Sequence, residues 1–359
     1  MGIQGFGVFI RKKAPEIFRR VERLSYFRGA SMAIDMEHKV HQMFYRNAGN
    51  TDAVMSDVDV FVKRLGDNSI DAYFVFDGDT KGLKNTAHAK RKKEHERRKE
   101  KHDELETKIK ELEAKAAERG FKPELEIIAD DLVVRPRTAA KRTRLQVDSE
   151  DAEALAAIEE VTLDFQLVQA KTKHASSSRQ IAKPTRGLFA QVKEALEHVS
   201  PPGRVLVAAD DAEREVALMA HNGTVHFAVS ADYDTLAFGS PNLVIDFMNA
   251  SKMCVLRLDD VLEALGVTME QFIDFAILCG CDFSGKVPGI GPHRALQIIK
   301  KYGTIEDAYD AKLRMRFTTK EEEEAFVPSF ARARFMHKPV DRKLVRRQRE
   351  KSLEDDMEA

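Results

Sequence analysis

Several short apolar runs in this chain stop abruptly at acidic residues, and the segments between them shift from a strand period to a helix period. Ser31-Met32-Ala33-Ile34 reads as a strand that ends in Asp35, and Ala72-Tyr73-Phe74-Val75-Phe76 as one that ends in Asp77-Gly78. Val205 to Ala209 and Val225 to Val229 repeat the design. The first ends in Asp210, Asp211 and Glu213; the second ends in Asp232 and Asp234, with only Tyr233 between them. Near-continuous apolar runs of this length predict strands buried on both faces, as in a parallel sheet. Helices are predicted over Met36 to about Arg46, over Val54 to Leu65 after a polar turn at Asn47 to Thr51, and over Leu188 to His198. The opening MGIQGFGVFIRKKAPEIFRRV has early glycines, which permit close backbone approach, and then the apolar spacing of a short amphipathic helix. Strands alternating with helices predict an α/β fold with a mostly parallel sheet.

From Lys81 to Arg119 nearly every residue is charged or a strong helix former. Lys84, Lys90, Arg91, Lys92 and Lys93 form a basic front. Leu105, Ile109, Leu112 and Ala116 follow at alternating four- and three-residue spacing, the mark of a short coiled-coil seam. Such a seam needs a partner, and Asp148 to Lys171 offers one, with Leu155, Ile158, Val161, Phe165 and Val168 along one apolar face. A charge run of this kind is ordinarily a solvated helix face unless it flanks a site that handles phosphate. A polar stretch, Thr172 to Arg179, leads into the helix at Leu188. Farther on, a mostly apolar helix is expected to end at Asp282, and Gly289-Ile290-Gly291-Pro292 to open a helix from His293 to Lys301. A Gly-x-Gly turn lets backbone N–H groups face a phosphate where the helix dipole helps; alone, the signal is weak. The remainder carries an acidic run at Glu321 to Glu324 and a basic one at Arg342 to Lys351.

At 359 residues the chain is long enough for one large domain with appendages or for two domains. Its 58 basic and 59 acidic residues nearly cancel, but they are segregated, so the total does not argue against a polyanionic partner. Cys254, Cys279 and Cys281 form neither a zinc spacing nor an even disulfide set, which favours a reducing intracellular compartment. No apolar run approaches membrane-spanning length, and the N-terminus lacks the long apolar core of a signal peptide, so no membrane association is expected. Met1-Gly2 does not extend into a myristoylation motif, because Phe6 stands where Ser or Thr is required.

The acids carry the candidate chemistry. In an open parallel sheet the crevice beyond the carboxyl ends of the strands is where ligands bind. Carboxylates gathered there are costly unless a cation neutralises them, and oxygen-only ligands select Mg²⁺ or Mn²⁺. Solvated loops in which acids cap helices and fill turns would account for one such stretch, but poorly for one after another. His38 and His41 have no Cys or third His nearby, so surface or DNA-facing roles suit them better than metal ligation.

Taken together, the opening MGIQGF, the AID at Asp35, the FDG at Asp77 followed by LKNTAHAKR, the ADYDTLAFGS at Asp232 and Asp234, and QFIDFAILCGCDFSGKVPGIGPHRALQIIKKYGTIEDA resemble structure-specific 5′ nucleases. The blocks are most similar to the flap endonuclease branch of the xeroderma pigmentosum group G family, over about residues 1 to 95 and 183 to 310. The motifs are specific in combination, since separated blocks occur in the family's order with matching internal spacing.

The resemblance implies a PIN-like α/β nuclease core whose carboxylates hold two Mg²⁺ ions, with Mn²⁺ as a substitute. Asp35, Asp77, Glu213, Asp232, Asp234 and Asp282 match the family's acid positions, and Asp211 fills a seventh place where the family has Glu. Asp210 is a less fitting substitute, because the spacing back from Asp232 fixes Glu213 and hence Asp211. Lys84 and Arg91 match a Lys and an Arg that contact the scissile phosphate at the base of a helical arch. The Gly289–Gly291 turn matches a helix-two-turns-helix element that holds duplex DNA through its backbone and a monovalent cation such as K⁺. Gly2, His41, Arg186, Gly289, Gly291, His293 and Arg294 are the DNA-binding residues this implies.

The implied organisation is a nuclease core over 1–250, interrupted by a helical arch and insertion at 81–195, then a helix-two-turns-helix region at 251–316 and a tail at 317–359. The implied partner is branched DNA with a 5′ single strand, cut by a monomer in the nucleus, or in the cytoplasm if the source is viral. A sliding clamp stays open as a partner, although no clear sliding-clamp motif is visible in the tail. Two departures stand out: an insertion at about Glu100 to Ser178, and His41 where flap endonucleases usually place a stacking Tyr. Exonuclease or gap-nuclease activity within the same family stays open, as does a scaffold that binds junctions without cutting them.

Overall fold

The computed structural model describes residues 3–78, 85–118, 163, 165–174, 176–177, 182–249, 251–281, 284, 287–317, 319–320, 323, 326 and 333–334, without the side chains of 85–94 and 312. These residues fall into two compact units, one made of 1–91 with 183–359 and the other of 92–182.

The first unit is built on a seven-stranded sheet in the order β1-β7-β6-β5-β2-β3-β4. Its strands are β1 (Arg19–Arg20), β2 (Ser31–Asp35), β3 (Asp71–Phe76), β4 (Val205–Val207), β5 (Phe227–Val229), β6 (Asn242–Ile245) and β7 (Cys254–Arg257). The five from β6 to β4 run parallel, while β7 and β1 add antiparallel strands at one side. Chain order climbs from β2 to β4 in one direction and from β5 to β6 in the other, so the topology reverses between β2 and β5. That is where an open α/β sheet leaves a crevice beyond the strand ends.

Helices cover both faces. α1 (Phe6–Lys13) buries Phe6 and Ile10, while α2 (Met36–Arg46) and α3 (Thr51–Asp67) pack with α6 (Arg186–Val199) over a core that includes Ile34, Phe61, Phe74, Leu188 and Val192. α7 (Ala212–His221) covers the other face through Val216 and Met219. The polar turn expected to end at Thr51 instead ends one residue earlier, because the Asn50 side chain accepts the Ala53 amide and caps α3. The β4 run also differs from expectation. It is an edge strand of three residues, with Val205 and Leu206 half-buried and Val207 53% exposed, because no further strand follows it in the sheet.

α8 (Asp234–Ala237), α9 (Leu258–Leu265), α10 (Met269–Cys279), α11 (Pro292–Tyr302) and α12 (Ile305–Ala308) complete this unit. A single apolar cluster joins Ile3, Phe6 and Ile10 to Leu243, Phe272, Ile299 and Ile305, and runs on through Phe326 and Ala333. Packing is therefore continuous across the boundaries placed at 250/251 and 316/317. Arg334 shows why the tail's first part belongs to the core: it pairs with Asp274 of α10 and Glu306 of α12. The helix leading towards Asp282 stops earlier than expected, at Cys279, where Gly280 takes a left-handed φ of 99°.

The second unit pairs α4, which spans Asn85–Glu118, with α5 over 165–174. Ile109, Leu112 and Ala116 supply the α4 side, as the heptad spacing predicts, while Leu105, predicted with them, is half-buried outside this cluster. The partner face is different from the one expected. Leu163, Leu167 and Ala170 face α4, whereas Phe165 is 61% and Val168 38% exposed; Leu155, Ile158 and Val161 lie outside the described residues. The segment carries two apolar stripes at helical spacing. The small Ala170 permits close approach, and Lys171 pairs with Glu113 at 2.7 Å, which fixes the face used.

Candidate metal centre

Four adjacent parallel strands, β5, β2, β3 and β4, carry acids at or just beyond their carboxyl ends. Asp35 closes β2, Asp77 follows β3, Asp211 and Glu213 follow β4, and Asp232 and Asp234 follow β5. Asp35, Asp211, Glu213 and Asp234 are all buried, and Asp77 and Asp232 half-buried.

Local folding aims several of these groups. The Asp35 carboxylate caps α2 by accepting the His38 amide at 3.2 Å, and its other oxygen accepts the Ser230 hydroxyl at 3.1 Å. Ser230 Oγ in turn accepts the Asp232 amide at 3.1 Å, so one hydroxyl ties the end of β2 to the end of β5. At the N-terminus of α7, Asp77 accepts the Ala212 amide at 2.8 Å and Asp211 accepts the Glu213 amide at 3.2 Å. Two carboxylates thus share the positive end of one helix. Asp210 points elsewhere and pairs with Arg214 at 3.2 Å. Thr235 Oγ1 lies 2.8 Å from the Asp232 carbonyl and 3.4 Å from Glu213 Oε1.

The electrostatics are those of a site that holds negative charge at a cost. Burial pushes the Asp35 carboxyl up to about 7, against the His38 and Ser230 hydrogen bonds and with help from Asp77 and Asp211. Glu213 is raised well above its ordinary value, first by burial and then by Asp232, Asp211, Asp234 and Asp35. Burial also holds the neighbouring His38 imidazole down at about 4.

Whether this set suits divalent cations turns on chemistry and span. The donors are all carboxylate oxygens, which matches Mg²⁺ or Mn²⁺ rather than a softer ion. Among the described residues no three of them converge on a single point in ligand geometry. They are distributed over four neighbouring strands, and three steps of about 4.8 Å each span about 14 Å. That width exceeds what one ion reaches through bonds of about 2.1 Å, so side chains must lean inward from the outer strands for any shared ion.

The remaining sequence-selected residues are placed as follows. Gly2, Lys84 and Asp282 lie outside the described residues, and Arg91 falls within α4 with its side chain undescribed. His41 is half-buried on α2 between Tyr45 and Phe189, with ring centroids 6.0 and 5.7 Å away. Arg186 is exposed at the start of α6. Gly289 is exposed with φ 69°, and Gly291 is the N-cap of α11. His293 and Arg294 are exposed on that helix, but Arg294 donates to the Gly289 carbonyl at 2.8 Å and so also braces the turn. Ser230, Thr235 and Tyr233 were not selected from sequence. A Ser two positions before the first acid of ADYD was the available signal for the first of them.

Comparison with known proteins matches residues 1–100 to the XPG N-terminal domain and residues 204–282 to the XPG I-region. Flap endonuclease 1 of Methanopyrus kandleri is 37% identical over 164 residues, covering 41% of this chain and 47% of the relative. Flap endonuclease 1 of Saccharomyces cerevisiae is 26% identical over 321 residues, covering 85% of this chain and 67% of the relative. The chain thus spans about half to two thirds of the length of these relatives. Among solved structures, flap endonuclease-1 from Methanococcus jannaschii superposes with a TM-score of 0.55 at 20% identity, covering 95% of this chain and 85% of that one. At that identity the likeness speaks for the fold.

Proposed function

The chain belongs to the XPG family of nucleases, and from that premise we propose that it is a Mg²⁺-dependent 5′ nuclease that hydrolyses phosphodiesters in branched DNA, 5′ flaps above all. The observation that carries this reading is the delivery of six carboxylates to one edge of a parallel sheet, on both sides of its topological reversal.

Two Mg²⁺ ions, with Mn²⁺ as a substitute, would be held by Asp35, Asp77, Asp211, Glu213, Asp232, Asp234 and Asp282. When bound, they would neutralise phosphate charge and activate water, which a phosphodiester with a poor alkoxide leaving group requires. Protein groups do the positioning. Ser230 orients Asp35, and the N-terminal amides of α7 orient Asp77 and Asp211. Lys84 and Arg91 bring positive charge to the scissile phosphate, where negative charge develops in the transition state. His41 offers a ring on which an unpaired base can stack. The turn at Gly289 to Gly291, with His293, Arg294 and a monovalent cation such as K⁺, would hold duplex phosphates, and Gly2 and Arg186 add further DNA contacts. Such contacts read shape and not sequence, so recognition follows junction structure. Action as a monomer in the nucleus, or in the cytoplasm for a viral protein, belongs to the same proposal.

Cleavage of a labelled 5′ flap beside blunt duplex and gapped DNA, with Mg²⁺ and with EDTA, tests it. Mg²⁺-dependent cutting concentrated at the flap junction is the expected result. Preferential cutting of blunt or gapped duplex would favour the exonuclease or gap-nuclease alternative. Tight binding without cutting on any substrate would favour a junction scaffold.

A further inference from the structure

The N-terminal helix supplies no acid to the cluster, yet it is packed against the residue that stands between two of them. Tyr233 separates Asp232 from Asp234 and immediately precedes α8 in a helical conformation, with φ −77° and ψ −11°. Its ring lies so close to α1 that a methyl group on Gly7 would come within 2.7 Å of Cε2 and 3.2 Å of both Cζ and Oη. Gly7 is not among the glycines with positive φ, so what it supplies is space for this ring. Phe6 meets the ring edge-on, at 5.4 Å between centroids and 76° between planes. Phe6 is itself fully buried against Phe272 and Phe275 of α10, each at 5.8 Å, and cannot yield. The hydroxyl end faces a positive charge. Arg11, one turn beyond Gly7 on α1, brings its positive charge near the Tyr233 hydroxyl, with its guanidinium over the Phe18 ring at 4.3 Å and 4.0 Å from the Asp246 carboxylate.

A ring confined by Gly7 on one side and Phe6 on another has little room to rotate, and its backbone is constrained with it. Asp232 and Asp234 flank that backbone directly, so their spacing and direction follow from where the ring sits. The Asp232 amide is also bonded to Ser230, whose hydroxyl reaches Asp35, so the constraint extends to a third acid.

We propose that Tyr233, braced by Gly7, Phe6 and Arg11, is a positioning residue that fixes Asp232 and Asp234 and thereby sets the affinity of the acid cluster for its divalent cations. This rests on the metal-dependent reading given above. The N-terminal helix is on this view part of the metal site's support, although it touches no metal.

The test compares Tyr233→Phe, which keeps the ring and removes the hydroxyl, with Arg11→Met and Gly7→Ala, all in the full chain. Mn²⁺ binding is measured by calorimetry without DNA, and the Mg²⁺ dependence of single-turnover flap cleavage is measured alongside thermal stability. Gly7→Ala should weaken Mn²⁺ binding about 10-fold, the lower end of what groups supporting a metal's ligands typically contribute. Tyr233→Phe and Arg11→Met should weaken it several-fold with little change in thermal stability. Cleavage by all three should recover as Mg²⁺ is raised, with flap affinity unchanged. If Gly7→Ala fails to fold, the other two variants carry the test. Variants that melt earlier but bind Mn²⁺ like the wild type would overturn the proposal, leaving Tyr233 a packing residue. A wild-type protein that neither binds Mn²⁺ nor cuts DNA would overturn the metal-dependent reading itself, and this proposal with it.

Discussion

Gly78, the residue after Asp77, lies so close to Ala208 that a methyl group on it would stand 2.0 Å from the Ala208 carbonyl oxygen and 2.9 Å from that of Ala209. Its amide donates to the Asp210 carbonyl at 3.0 Å. The ends of β3 and β4 meet here without a side chain between them, and that contact brings Asp77 under the first amide of α7. Gly78→Ala should therefore destabilise the fold by about 1–3 kcal/mol, the usual cost of forcing atoms into filled space, and reduce cleavage by more than the loss of folded protein explains. Urea unfolding and single-turnover rates on the same samples check this. Unchanged stability would mean that the two strand ends separate easily.

Removing a ligand should separate chemistry from binding. Asp232→Ala or Asp77→Ala should lower the cleavage rate by more than about 100-fold, the upper end of what residues that merely support ligands contribute, while flap binding stays within a few-fold of wild type. Each substitution also removes repulsion against phosphate. Near wild-type cutting by either variant would show that the metal cluster is wrongly assigned.

The raised carboxyl of Asp35 predicts a definite pH dependence. A group whose pKa rises from 3.8 to about 7 on folding stabilises the protein fully below about 4, and that contribution is lost as the pH climbs through 7. Glu213 is shifted in the same direction. Metal-free protein should therefore lose stability between pH 5 and 8, and Asp35→Asn should flatten that slope. On the metal-dependent reading Mg²⁺ would bind the ionised set, so its stabilising effect should be larger at pH 8 than at pH 6. Melting curves with Mg²⁺ and with EDTA across this range would expose the opposite ordering.

Arg334 grips Asp274 through Nε and Nη2 at 2.6 to 2.8 Å and reaches Glu306 as well, while Asp274 also accepts the Ile305 amide at 3.1 Å. Arg334→Met leaves the Asp274 carboxylate, only 5% exposed, without its counter-charge. The expected cost is about 3 kcal/mol, the low end for breaking a buried pair, since the guanidinium is itself partly exposed. Chemical denaturation measures it, and Asp274→Asn in the same background should cost much less than it does in the wild type.

The insertion carries its own apolar cluster, Leu112, Ala116, Leu163, Leu167 and Ala170, separate from the cores around the sheet. Replacing residues 100–178 with a short flexible linker should therefore preserve the sheet and basal phosphodiester hydrolysis, while altering preference among flap, gap and exonuclease substrates. Relative single-turnover rates on the three substrates decide the matter. An unchanged ranking would point to a partner-binding role for the insertion.

Much of the unit built on the sheet could be read from the chain itself. An apolar run that stops at an acid states both a buried strand and the charge at its end, and the run itself requires no distant contact to be recognised. That is why β2 with Asp35 and β3 with Asp77 lie where the periodicity placed them, and β5 before Asp232 starts only two residues later than the run did. Tertiary structure decided what periodicity leaves degenerate. Phe165 and Val168 offer one apolar face and Leu163, Leu167 and Ala170 another, and the close approach allowed at Ala170, with the Lys171–Glu113 pair, selected the second. Nothing local marked Val207 as belonging to an exposed edge, because edge position depends on strand order. Nor could the sequence show that Gly7 makes room for Tyr233, or that Ser230 ties Asp35 to Asp232, since those partners lie about 200 residues apart or more and meet only when the sheet is assembled. The sequence by itself determined which acids stand at the strand ends, whereas the order of the strands and the packing of α1 against Tyr233 decided which of them are neighbours and how firmly they are held.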